Sequence, residues 1–290
     1  MLPTVEFLGA QVTRVILGDN PFIGNSYVPD TYPRKEMYDY YQADKVLEAL
    51  FTAEENGINT YMALADNYLI RIFQQYRREG GKMQIMFQTC PPMDLQASIH
   101  HMMECEPIAI YHQGSTLEEF LREDRKDFLM QRLELIRSTG VYLGIGTHVP
   151  EIVLQAEQEN WGIDFYMTCL YNYQNERKGQ KSSFFTNQPK YVTFHDEDPP
   201  KMYEVIKKVG KPCVAFKIFA GGQVFNDKTA EEVPGVLEDV FTTVFNNIKP
   251  NDVACIGVYQ KFKNQIKENA EIAAKILATQ GQHRGTVLLC

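Results

Sequence analysis

Polar side chains able to move protons recur in this 290-residue sequence at one kind of place, directly after a short apolar run. Asp19 and Asn20 follow "RVILG". Asp66, Asn67 and Tyr68 follow "TYMALA", and Gln88, Thr89 and Cys90 follow "QIMF". His112 closes "IAIYH", His148 follows "GIGT", and Tyr171 and Asn172 follow "FYMTCL". Lys217 stands inside "CVAFKIF", ahead of Gly221 and Gly222, and Tyr259, Gln260 and Lys261 follow "ACIGV". Histidine titrates near neutral pH, carboxylates accept protons and ammonium groups donate them. Such a set suits general acid–base work or the holding of a sugar-like or anionic substrate. A lysine inside an apolar strand is costly unless it is paired or the strand ends at a solvated site. Asp19, His112 and His148 also have metal-ligating chemistry, but no HxH or HExxH spacing accompanies them, and no metal is assigned.

The elements that must position these residues alternate regularly. "VEFLGAQVTRVILG" reads as a small hairpin around Gly9 and Ala10, then a strand from about Val12 to Leu17. With that strand as the first, eight strand–helix units follow the hairpin, their strands short and almost continuously apolar, as expected where both faces of a parallel sheet are buried. Typical helices are "ADKVLEALFTAEE", stopped by Gly57, and "PEIVLQAEQ", with Pro150 in its first turn. The run from Ser115 to Gly140 reads as helical with a break near Asp124. Asp198 reads as the cap of "DPPKMYEVIKK". Eight units predict an α/β fold, a (β/α)8 TIM barrel preceded by a short N-terminal β-hairpin, as one domain spanning 1–290. A doubly wound sheet would carry a glycine fingerprint after its first strand, and "LGDNPFIGNS" is not GxGxxG. In a barrel the residues after each strand share the C-terminal mouth, where active sites lie. Within strand 7, Ala215, Lys217 and Phe219 alternate with Val214, Phe216 and Ile218. Lys217 reaches the mouth in the inward setting and snorkels among the helices in the outward one.

Composition narrows the partners. A net charge of −8 and 23% charged residues argue against a general nucleic-acid binder or a polybasic membrane contact. No apolar run approaches the roughly 20 residues of a membrane span, and the N-terminus lacks a signal-peptide pattern. Six cysteines, none in a CxxC pair, suit reduced thiols in a cytoplasm. The expected partner is a small molecule, with the oligomeric state open. The long polar stretch from about 172 to 198 reads as a lid over the active face, or as a surface excursion.

Several segments resemble the aldo-keto reductases. "VTRVILGDNPFIG", "VLEALFTAEENGINTY", "IAIYHQG", "CLYN", "AFKIFAGG" and "NQIKENAEIA" are similar to that family's first strand, first helix and second strand, histidine-bearing strand, strand-6 end, strand 7 and adenine-contacting helix. The resemblance implies a barrel that binds NADP(H) without a Rossmann domain. By it, His112 takes the active-site histidine position and Phe216 that of the aromatic stacked on nicotinamide. Gln265, Glu268 and Asn269 take the adenine-contacting positions, with Lys261 and Lys263 near the 2′-phosphate. The tetrad departs from the pattern. Met62 stands where the family has aspartate, Asp66 comes several residues late, and Tyr68 fills the tyrosine position only with a shift. Thr89 stands where the family has lysine, and Lys217, from another strand, is the candidate replacement.

The expected assignment is therefore catalytic His112, Tyr68 and Lys217. Asp19, Asn20, His148, Tyr171 and Asn172 are assigned to substrate, and Phe216, Lys261, Gln265, Glu268 and Asn269 to NADP(H). The leading functional expectation is an NADP(H)-dependent oxidoreductase acting on a carbonyl or sugar-like substrate. The alternatives are a cofactor-independent lyase, isomerase or hydrolase, in which His112, His148, Lys217 and Asp19 do acid–base work, and a non-catalytic barrel.

Overall fold

The computed structural model describes residues 1–172, 189 and 191–287, with side chains described as far as 280. Two short strands, β1 (Thr4–Phe7) and β2 (Ala10–Thr13), pair antiparallel as the N-terminal hairpin. Leu8 and Gly9 form its tip with positive φ of 53° and 72°, the left-handed region that glycine enters without a Cβ penalty. Eight parallel strands then close on themselves: β3 (Val15–Gly18), β4 (Thr60–Leu64), β5 (Gln84–Gln88), β6 (Ala109–His112), β7 (Tyr142–Thr147), β8 (Phe165–Cys169), β9 (Cys213–Phe216) and β10 (Val253–Ile256), with β10 pairing back onto β3. This is the TIM barrel that the alternating pattern predicts. The strand expected over Val12–Leu17 is two strands, because the chain bends at Arg14 from the hairpin into the barrel.

Side-chain alternation splits each strand between two apolar layers. Ile16, Met62, Met86, Tyr111, Phe165, Met167, Val214 and Cys255 meet inside the barrel, and the hairpin's Phe7 and Val12 join them from below. The opposite parity, including Val15, Tyr61, Ile110 and Ala215, packs against the helices. Two inward positions of β7 are glycines for a steric reason. A Cβ on Gly144 would sit 2.4 Å from the Phe165 ring, and one on Gly146 would sit 2.9 Å from the Tyr111 ring. The two rings occupy space that β7 leaves open.

Local chemistry fixes the helix ends. Asp66 caps the helix Asn67–Arg78 by accepting the Leu69 N–H at 2.7 Å, a cap worth about 1 kcal/mol. That helix buries Leu69, Ile70, Ile72, Phe73 and Tyr76, the i, i+3, i+4 stripe of an amphipathic helix. The expected break near Asp124 separates the helices Gly114–Arg122 and Lys126–Arg137, and Asp124 itself has φ 55°. The helix Asp198–Lys208 is capped differently from expectation. Asp198 lies inside the first turn, and its carboxylate accepts the Asn172 N–H at 3.1 Å. Most of the stretch read as a lid lies outside the described residues. Among those described, no helix is long and apolar enough to cross a membrane.

Candidate active site

A cavity of about 240 Å³ opens at the C-terminal mouth of the barrel. Its floor is set by Asp19, Met62, Gln88, Tyr111, Met167 and Cys255, from six different strands or strand ends. From there it continues past Phe216, Lys217, Gly221 and Gly222 to Lys263, Gln265, Glu268 and Asn269 at the start of the last helix. The loop that follows β3 closes over it, with Asn20, Asn25 and Tyr27 in its wall.

Asp19 follows β3 directly, and its Oδ2 accepts the Leu64 N–H at 2.5 Å. Although part of its surface is open to the cavity, protein surrounds the carboxyl. Burial pushes its pKa up to about 7, with the Leu64 hydrogen bond opposing and the nearby Asp66 charge adding to the rise. A carboxyl poised there can both give and take a proton near neutral pH.

Lys217 reaches the cavity by a backbone device that strand parity alone does not supply. Val214 and Phe216 point inward, so Ala215 and the next odd position face the helices. The strand ends at Phe216, and Lys217 takes φ 58°. This left-handed conformation breaks the alternation and costs of order 1–3 kcal/mol for a residue with a Cβ. The ammonium then lies 4.8 Å from the centroid of the Tyr27 ring and 5.2 Å from that of Phe216, two aromatic faces that attract a cation.

Behind Lys217 stands a buried polar chain. Its Nζ is 3.2 Å from His148 Nε2, and His148 Nδ1 is 3.0 Å from Glu118 Oε1. The same carboxylate oxygen accepts the His148 N–H at 2.6 Å and the Thr147 hydroxyl at 2.8 Å. Glu118 and His148 are each 4% exposed. Burial would raise the Glu118 carboxyl, but the facing His148 ring and these hydrogen bonds outweigh it and hold the group below its usual range. The helix Gly114–Arg122 delivers the carboxylate. Gly114 has no room for a Cβ, which would meet the Gly146 carbonyl oxygen at 2.8 Å, so the helix lies directly on β7. Glu118, four residues on, shares that face and points at the strand end.

The remaining expected site residues divide. Asn20 lines the cavity, its Oδ1 accepting from Asn25 Nδ2 at 2.7 Å. Phe216, Gln265, Glu268 and Asn269 line it too. Gln265 accepts the Tyr259 N–H at 2.8 Å, Glu268 pairs with Lys263 at 2.6 Å, and Asn269 is 4% exposed with its side-chain carbonyl unpartnered. Lys261 is not in the wall; it pairs with Glu36 at 2.8 Å. His112 does not reach the mouth. It has the parity of Ile110, lies wholly buried in the helix layer and accepts Arg132 Nε at 3.0 Å. Burial and the Arg132 charge push its pKa down to about 3, so its imidazole is neutral. Tyr68 is 41% exposed on the rim, where its hydroxyl donates to the Tyr41 carbonyl at 3.1 Å; burial raises it to about 12. Tyr171 is buried against Phe194, and Asn172 borders a second cavity with His148, His195 and Asp198.

Two site residues, Tyr111 and Glu118, carried no assignment from the sequence. Tyr111 faces the mouth one position before the histidine and donates its hydroxyl to Gln88. Parity would have found it, since Tyr111 and Ala109 alternate with Ile110 and His112. The spaced glycines of "GIG" were the signal that a large ring fills the barrel opposite them. Glu118 carried no signal, because it lies four residues into a helix among other acidic residues.

No protein-family model and no curated protein matches the chain. Solved structures match its fold. An aldo-keto reductase from Bacillus halodurans in its holo form aligns with 94% of this chain and 91% of its own at 10% identity and a TM-score of 0.58. A glycerol dehydrogenase from Gluconobacter oxydans aligns with 95% of each chain at 13% identity and 0.52. A truncated 3-deoxy-D-arabino-heptulosonate 7-phosphate synthase from Thermotoga maritima aligns with 99% of this chain and 94% of its own at 11% identity and 0.54. What these enzymes share with the chain is the barrel. At such identity the likeness establishes the fold alone.

Proposed function

We propose that the chain is an oxidoreductase that binds a nicotinamide dinucleotide, NADP(H) by the family resemblance, and acts on a carbonyl or sugar-like substrate. The observation that carries this reading is the single cavity joining the mouth to Asn269, whose buried side-chain carbonyl has no hydrogen-bond partner. A buried acceptor left unpaired costs about 1–3 kcal/mol, and a nucleoside amino or hydroxyl group in that arm would relieve it. The residues present fit a dinucleotide. Phe216 offers an aromatic wall beside the mouth, and Gln265, Glu268 and Asn269 line the distal arm. At the bend, Gly221 has φ 61° and a Cβ there would lie 2.6 Å from Tyr27 Cβ, so only glycine keeps the bend open. A 2′-phosphate finds a cation in Lys263 once that group leaves Glu268.

The bound dinucleotide would supply or accept hydride. The chain's own residues orient the substrate oxygen, exclude water and move a proton. Asp19, the Tyr111–Gln88 pair and Lys217 are the groups at the mouth able to do so. A second reading, cofactor-free acid–base chemistry on a sugar-like or anionic substrate, draws on the Asp19 carboxyl near 7 and on Lys217 with its buried chain, neither of which needs a dinucleotide.

Titration of the purified chain with NADPH, NADP+ and NADH, followed by calorimetry and nicotinamide fluorescence, separates the readings. Micromolar binding that weakens about tenfold in Asn269→Ala supports the oxidoreductase. No binding at millimolar dinucleotide overturns it in favour of the second reading.

A further inference from the structure

We propose that Lys217 is the group that exchanges a proton with the substrate oxygen, and that Glu118, through His148, is the positioning residue that makes it so. The inference rests on reading the mouth as a site of carbonyl or hydroxyl chemistry, as above, but not on the dinucleotide. Its basis is the direction of the hydrogen bonds. A carboxylate only accepts, so the Glu118 oxygen 3.0 Å from His148 Nδ1 fixes the imidazole proton on Nδ1. The Nε2 lone pair then faces outward and accepts from the Lys217 ammonium at 3.2 Å. An ammonium has three N–H bonds and can serve several acceptors, and the side chain lies in the cavity wall where a substrate oxygen would come to rest.

The proton balance is simple. As a carbonyl oxygen gains negative charge, an N–H of Lys217 transfers its proton to that oxygen, leaving a neutral amine and a hydroxyl product. Oxidation of a hydroxyl runs the same transfer backwards. The neutral amine left after donation still has an N–H to give to the His148 Nε2 lone pair, so it stays in place until solvent returns the proton. Tyr27 and Phe216 flank the side chain with π-faces that attract its ammonium. In this arrangement the barrel meets the need for a proton donor with a lysine from β9, backed by an imidazole from β7 and a carboxylate from the helix before it.

The test uses the full chain as wild type, Lys217→Met, Lys217→Arg and Glu118→Gln. Three quantities are measured: NADH and NADPH affinity, turnover of glyceraldehyde and nitrobenzaldehyde as carbonyl probes, and the ring-nitrogen shifts of 15N-labelled histidine. The expected result is dinucleotide affinity retained within about threefold, and turnover lowered about 100-fold in Lys217→Met, the scale of general acid catalysis. Glu118→Gln should lower kcat with KM little changed, and wild-type His148 should be protonated on Nδ1 and lose that preference in Glu118→Gln. Full turnover in Lys217→Met overturns the proposal. So does a wild-type His148 protonated on Nε2, because a donor cannot face an ammonium. If the wild type binds no dinucleotide, the oxidoreductase reading fails while the tautomer still decides this one. Where neither probe turns over, the tautomer likewise decides alone.

Discussion

His112 and His148 stand at the ends of neighbouring strands, β6 and β7, and both are buried, yet they face opposite sides of the barrel wall. His112 looks into the helix layer, where burial and the charge of the Arg132 guanidinium that donates to it keep it neutral. His148 lies between a carboxylate and an ammonium that opens on the cavity. Residue type and chain position are the same in the two cases. Strand parity and the charge of the partner differ, and these decide whether an imidazole is a packing element or part of a proton-moving chain. A histidine at a strand end is therefore a hypothesis about parity before it is one about catalysis.

The comparison breaks most visibly at the buried carboxylate. Glu118→Ala leaves His148 and Lys217 without their counter-charge, and removal of one partner from a buried pair costs about 3–5 kcal/mol. Chemical denaturation should show this loss, with Glu118→Gln losing clearly less because the amide still fills the space and accepts a hydrogen bond. A Glu118→Ala protein as stable as wild type would mean the chain is not built as described.

His112→Ala should cost less, about 1–3 kcal/mol, the penalty of leaving the Arg132 donor and a small void behind. Thermal unfolding measures it. Dinucleotide affinity should be unchanged in the same protein, and a selective loss of binding would return His112 to the site.

The smallest effects are in pH dependence, and they carry opposite signs. His112 has a folded pKa near 3 against 6.5 for the free group, so the unfolded chain takes up its proton first. The stability tied to neutral His112 is whole above 6.5 and is lost as pH falls from there toward 3. Asp19 has a folded pKa near 7 against 3.8, so the native state holds the proton longer. Its contribution is whole below 3.8 and is lost as pH rises through 7. Denaturation midpoints taken across this range should flatten on the acid side in His112→Gln and rise near neutrality in Asp19→Asn. An unchanged alkaline limb in Asp19→Asn would place that carboxyl in ordinary solvent.

Much of the architecture was legible because burial on both faces of a parallel sheet writes itself as short apolar runs. Glycine and aspartate punctuation marked the helices between them, including the break at Asp124. Within the site, Asp19 and Lys217 were nominated from position along the chain and the Phe216-to-Asn269 arm from the family resemblance, and the cavity gathers them. What position could not convey was orientation. Tyr68 is drawn to the rim by the helix that Asp66 caps, and Lys261 is taken by Glu36, a partner 225 residues away in sequence. Lys217 inverts its own parity through one left-handed residue, which no pattern of apolar and polar letters records.

The hairpin and the rings that fill the barrel below Asp19 have a kinetic consequence. With Phe7, Val12, Phe165 and Tyr111 occupying the interior, the described residues leave no through-passage from the lower end. Whatever reaches Asp19 must arrive and depart by one doorway. Reactant and product would therefore queue at a common threshold, and a spent molecule lingering there would block the next arrival. Competitive product inhibition is the behaviour such a vessel imposes on its traffic, whichever molecule it handles.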